Sequence, residues 1–116
     1  MFRVLLLVLL LLAACARRGG PPALPETAPG GWRLTETKHD GPKTFGTYAG
    51  AGTIRVEVED TGSSGVALDR AQRTRLEPDM VFFYKNNYFV IVRWEEADRY
   101  SVKAFVRDLE KRLESH

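Results

Sequence analysis

Residues 80–94 read MVFFYKNNYFVIVRW, two apolar runs hinged at Asn86 and Asn87. Asparagine tolerates the left-handed backbone that a two-residue turn demands, so the stretch predicts a β-hairpin closed by a type I′ turn. Such a turn fixes the register: Lys85 faces Tyr88, Tyr84 faces Phe89, Phe83 faces Val90, Phe82 faces Ile91 and Val81 faces Val92. These pairs sort into two faces. One carries Val81, Phe83, Tyr88, Val90, Val92 and Trp94, and the other Met80, Phe82, Tyr84, Phe89 and Ile91. Both are apolar, whereas a hairpin with one wet face alternates apolar with polar residues. The second face therefore needs a cover: the N-terminal strands, the sheet curling on itself, or another molecule. Phe82, Tyr84, Phe89 and Ile91 form the candidate interaction surface.

Downstream, a polar turn with Glu95, Glu96 and Asp98 leads to a helix from Ser101 to about Glu114, with Val102, Phe105, Val106, Leu109 and Leu113 along one face. Upstream, Pro78 marks the exit from an earlier helix. That helix starts at a serine cap, Ser63 or Ser64, and runs to about Arg75 with Ala67, Leu68 and Ala71 as its inward stripe. Before it, Thr53 to Glu59 alternates Ile54, Val56 and Val58 with Arg55, Glu57 and Glu59, a strand with one buried face. Two weaker strands, Trp32 to Glu36 and Phe45 to Tyr48, flank a polar stretch punctuated by Gly41 and Pro42. The order strand, strand, strand, helix, hairpin, helix predicts a small α+β domain over residues 32–116: two layers, an antiparallel sheet with both helices packed on one face.

The run Ile54, Arg55, Val56, Glu57, Val58, Glu59, Asp60, Thr61, Gly62, Ser63, Ser64, then Ala67, and later Asn87 to Val92, resembles an uncharacterised bacterial family of unknown function. In that family a strand reading VEIYDMGS leads into a helix, and a YFV strand and a closing helix follow. The resemblance brings no catalytic residues with it.

The chain begins with Arg3 and an apolar stretch from Val4 to Leu12, then Ala13, Ala14 and Cys15. A positive end, a short apolar core and a small-residue exit are the anatomy of a secretory signal peptide. The stretch falls short of the roughly 20 apolar residues that span a bilayer. Leu12, Ala13, Ala14 and Cys15 resemble the lipobox of bacterial lipoproteins. That resemblance implies cleavage of residues 1–14 and a thioether-linked diacylglycerol on Cys15, with further acylation of the new amine. It implies a protein tethered to the membrane through its lipid anchor without spanning it, since two or three acyl chains make release negligible. Ala16 and Arg17 follow the cysteine in place of the aspartate that resembles an inner-membrane retention signal. The expected location is the periplasmic face of the outer membrane in a diderm host, or the outer face of the cell membrane in a monoderm one. Cys15 is the sole cysteine, so no disulfide is available to the domain. Residues 15–31, rich in proline and glycine with Leu24 the one large aliphatic, read as a disordered tether reaching about 50 Å at most.

Residue types for chemistry are scarce. With His39 and His116 and no cysteine in the domain, the usual zinc ligand sets cannot be assembled, and no glycine-rich phosphate loop follows a strand. No metal or other cofactor is expected. His39 with Asp40 and a serine at 63 or 64 reads first as hydrophilic loop, and Glu57 with Glu59 as the wet face of a strand. Arg70, Arg73 and Arg75 make a small basic group, but a net charge of +2 and export argue against a nucleic-acid partner. The expectation is a non-enzymatic envelope protein whose Phe82–Ile91 surface binds a partner protein, a second copy in a homodimer, or a small apolar ligand. The alternative is an enzyme or enzyme accessory acting on envelope polymers through His39, Asp40, Glu57 and Glu59.

Overall fold

The computed structural model describes residues 23–115, in the order β1 (Thr27–Ala28), β2 (Trp32–Asp40), β3 (Lys43–Gly50), β4 (Gly52–Asp60), α1 (Ser64–Arg73), β5 (Met80–Lys85), β6 (Tyr88–Glu95) and α2 (Arg99–Glu114). The six strands form one curled antiparallel sheet in the order β1-β2-β3-β4-β6-β5, so the domain is α+β as the sequence predicts. The hairpin β5–β6 has the anticipated register, from Lys85 opposite Tyr88 to Val81 opposite Val92. Its turn is not type I′, because Asn86 takes positive φ, 54°, and Asn87 does not. Tertiary bonds account for the difference. Asn86 donates to the carbonyl of Leu113, Asn87 donates to Asp60 Oδ1 at 2.6 Å, and the Asn87 carbonyl accepts from Thr61.

Alternation along each strand defines the core. Ile54, Val56 and Val58 of β4 share a face with Tyr48 of β3, with Tyr88, Val90 and Val92 of β6, and with Trp32 of β2, and all are buried. Helix α2 lays Val102, Phe105, Leu109 and Leu113 onto that face, the stripe expected from its 3.6-residue period. Asp98 caps it by accepting from Tyr100 N, and Trp32 Nε1 donates to the Ser101 carbonyl beside the cap.

The expectation that both helices lie on one face is corrected. Arg70 of α1 pairs with Glu59 at 3.2 Å, and Glu59 points opposite to Val58 on β4, so α1 sits on the far side of the sheet from α2. Ala67, Met80 and Phe89 are buried there, outside the core cluster that α2 completes. The β5–β6 half of the molecule is thus three layers deep, which is what a hairpin apolar on both faces requires. Of the expected α1 stripe Ala67 is buried and Ala71 half-buried, while Leu68 points out. The cap is Ser63, which accepts from Val66 N.

The last part of the expected tether is in contact with the domain. Leu24 belongs to the hydrophobic core, Pro25 accepts a 2.6 Å hydrogen bond from the Tyr48 hydroxyl, Leu34 N donates to the Glu26 carbonyl, and β1 pairs with β2. Proline and glycine limit regular structure in this segment to the two residues of β1, but one leucine and a few backbone acceptors suffice to hold it. Residues 24–31, which the sequence assigns to the tether, are thus held against the domain, and residues 15–22 of the expected tether, with Cys15 and the signal peptide, lie outside the described residues.

Tyr48 ties this segment to the core and gives the fold an alkaline limit. Its ring is fully buried edge-on to Phe105, with centroids 4.8 Å apart, and burial pushes its pKa up to about 12, against a smaller lowering by Arg112 and a smaller rise from Asp108. The folded state resists ionisation, so the contribution of Tyr48 is complete below pH 10 and is lost as pH climbs through 10 to 12. Urea titrations between pH 9 and pH 12 are expected to show stability falling across this window, and Tyr48→Phe to flatten the fall; an unchanged slope in the variant would assign the limit to other groups.

Candidate functional site

The hairpin register gathers the candidate surface on one face: Phe82 opposite Ile91 and Tyr84 opposite Phe89, with the Phe82 and Phe89 rings 6.2 Å apart. Helix α1 packs against the same two strands and takes up part of what these side chains offer. Phe89 is only 5 % exposed and belongs to the interior, Phe82 and Ile91 are half-buried, and Tyr84 at 41 % remains open. The surface is thus narrower than the sequence implies, and it is displaced toward β5.

Strand β5 is the last strand of the sheet. The Trp94 amide donates to the Asp79 carbonyl, which sets the alternation of the ladder: Val81, Phe83 and Lys85 turn their backbone groups toward β6, and Met80, Phe82 and Tyr84 turn theirs outward. Among the described residues nothing pairs with that outward row. Native edges are commonly guarded by charged side chains, a proline or a bulge; Met80–Tyr84 contains none of these, and the one charge of the strand, Lys85, stands at its end. Lys85 closes the strand, paired with Glu114 at 2.9 Å, and that hydrogen bond, with the added glutamate charge, raises its pKa.

On the α2 side the edge borders a groove of about 640 Å³. Met80, Val81, Trp94 and Val106 supply apolar lining, with Asp79 on the strand side and Lys103 on the helix side. Tyr100, 82 % exposed, stands at its rim, and Leu76, 66 % exposed, lies in the segment that leads into β5. Sequence reasoning passed over both. The available signal was a large side chain at the start of a helix, outside its apolar stripe, and another in a polar loop.

The residues of the enzyme alternative do not come together. A bulge between Leu34 and Glu36 reverses the alternation of β2, which puts His39 opposite Thr44 on the core-side face, with Nδ1 3.1 Å from Thr44 Oγ1. Glu57 and Glu59 lie on the other face and are engaged with Lys43 at 3.4 Å and Arg70 at 3.2 Å. Asp40 is exposed at the strand end, and Ser63 is spent as a helix cap. Arg70 and Arg73 of the basic group are drawn into pairs with Glu59 and Asp69. Among the described residues no cluster of histidine, cysteine or carboxylate could hold a metal ion, and no helix is long and apolar enough to cross a membrane. No family model, no curated protein and no solved structure matches the chain.

Proposed function

We propose that this chain is a lipid-anchored protein of the bacterial envelope that acts as a non-catalytic interaction module, and that its contact surface is the open β5 edge with the side chains beside it. The observation that carries this reading is the outward row of Met80, Phe82 and Tyr84, an apolar stretch of strand edge with its charge only at the Lys85 end and with the Tyr84 side chain exposed. Leu12, Ala13, Ala14 and Cys15 support the anchor, because only a thiol at that position offers the soft nucleophile that lipid transfer needs. The membrane is then the first partner, and a protein strand the second.

Two measurements test the two halves. Palmitate fed to a bacterial host is expected to label the protein and to leave Cys15→Ser unlabelled; an unlabelled wild type removes the anchor. A photo-crosslinking residue at position 84 of the membrane-borne protein is expected to yield a cross-linked species of discrete mass, and the same residue at position 38, exposed on β2, to yield none. No discrete species from position 84 removes the contact surface.

A further inference from the structure

We infer that the outward face of α2, with Arg99, Lys103, Arg107 and Lys111 around Tyr100, lies on the anionic headgroups of the membrane to which the chain is tethered. The inference rests on the proposed lipid anchor and adds the orientation in which the anchored domain sits.

The four basic residues stand at every fourth position of α2, all of them exposed, in a stripe about 18 Å long at about 1.5 Å per residue. The acids nearby do not neutralise them. Asp98 caps the helix, Asp108 pairs with Arg112 at 2.8 Å, Glu114 reaches across to Lys85 at 2.9 Å, and Glu110 adds its charge to that of Glu114 beside Lys85. Among the described residues no carboxylate pairs with any of the four. Helix α1 behaves otherwise, since its Arg70 and Arg73 are both taken up by acids of the same domain.

The helix gains nothing from such a stripe. Like charges four residues apart repel, and Arg99 stands in the first turn, where the helix dipole favours an anion. An external anionic surface offsets the repulsion and gives all four cations one partner.

The course of the chain selects a membrane as that surface. Ala23, Leu24 and Pro25 line one cavity with Leu109, Arg112 and Leu113, so the described chain starts beside the C-terminal half of α2. Cys15 precedes Ala23 by eight residues, which reach about 29 Å at most at full extension. A domain anchored there stays close to the headgroups, with α2 beside its point of attachment. Tyr100, 82 % exposed, adds the amphipathic ring that a membrane interface accommodates. In this orientation α1, on the far side of the sheet, turns away from the bilayer, and the β5 edge opens sideways toward other proteins of the same membrane.

The lipidated protein in vesicles provides the test. With Cys15 acylated, a single engineered cysteine takes a thiol-reactive dye, at Tyr100→Cys in α2 or at Gln72→Cys, exposed on α1. The vesicles carry a headgroup-bound nitroxide quencher and consist of phosphatidylcholine alone or with phosphatidylglycerol added. Quenching at position 100 is expected to be at least about twofold stronger with phosphatidylglycerol and to fall back as salt is raised. It should also be lost in the fourfold variant Arg99→Glu, Lys103→Glu, Arg107→Glu, Lys111→Glu. Position 72 should not respond to lipid charge. The salt series leaves the stripe intact and decides the case if the fourfold variant does not fold. Equal quenching at position 100 in the two kinds of vesicle overturns the inference, as does an equal response from position 72. Flotation with phosphatidylcholine vesicles reads the anchor by itself: protein that floats without charge-dependent quenching loses only the basic face, and protein that does not float loses the anchor and this orientation with it.

Discussion

Phe105→Ala is expected to lower the unfolding free energy by about 3–5 kcal/mol, the range for emptying a buried aromatic site. The Phe105 ring is 2 % exposed and meets the edge of Tyr48 at the centre of the α2–sheet contact. Neighbouring side chains on a sheet cannot follow it inward without breaking their ladders, so the cavity persists. A domain of this size has on the order of 5–14 kcal/mol in total, so the change removes a large share of its stability. The urea midpoint should drop with the slope unchanged, and the thermal midpoint should fall by more than about 12 °C at 4–8 °C per kcal/mol. Tyr100→Ala, in the same helix but 82 % exposed, is the control and should stay within about 0.5 kcal/mol. A Phe105→Ala protein as stable as its parent would mean that α2 does not pack as described.

Gly52→Ala is expected to cost on the order of 3 kcal/mol or more, for two reasons that add. Gly52 closes the tight connection between β3 and β4 with φ at +120°, a conformation that holds about 1–3 kcal/mol of strain for any other residue. A Cβ there would also stand 2.5 Å from the Glu96 carbonyl oxygen and 2.6 Å from that of Glu95. Both atoms are backbone, at the end of β6 and the start of the next turn, so relief requires the sheet itself to open. Gly62→Ala separates the two effects. Gly62 also has positive φ, +85°, but a Cβ there meets nothing within 4 Å, so about 1 kcal/mol of backbone cost is expected. Equal losses in denaturant titrations of the two variants would mean that the crowding at Gly52 is absorbed elsewhere.

The hairpin was the most legible part of the sequence because its two constraints are local. Two asparagines between apolar runs set the turn length, and turn length sets every cross-strand pair. The type of the turn was not legible, since Asn87 is held by Asp60 and Thr61, residues far away in the chain. The helix on the second face follows, in retrospect, from the same apolar pattern: a crossover helix between β4 and β5 must lie on one side or the other, and only the Glu59 side lacked a cover. Strands β2 and β3 extend closer to their turn than the pattern suggested, because most of β2 is exposed on both faces and alternation carries no signal there. For the same reason nothing in the sequence marks the bulge at Leu34–Glu36 that sends His39 to the face opposite Glu57 and Glu59. The four residues of the candidate surface were legible as neighbours. Which of them stay accessible depends on where α1 lands, and composition does not report that.

The ordering of residues 24–31 has a mechanical consequence. On the proposed anchoring at Cys15, a pull toward the membrane would reach the described fold through Leu24, which is held with its neighbours by its own burial, the Tyr48–Pro25 hydrogen bond, the Leu34–Glu26 backbone bond and the two residue pairs of β1. These contacts lie at the margin of the sheet and yield before the long ladders of β3, β4 and β6. Peeling them as far as Trp32 releases residues 24–31, about 28 Å of extra chain at full extension. The peeling stops at Trp32, 1 % exposed and bonded through its indole to Ser101. With the proposed anchor, the segment would give slack under tension before any strand of the core is loaded.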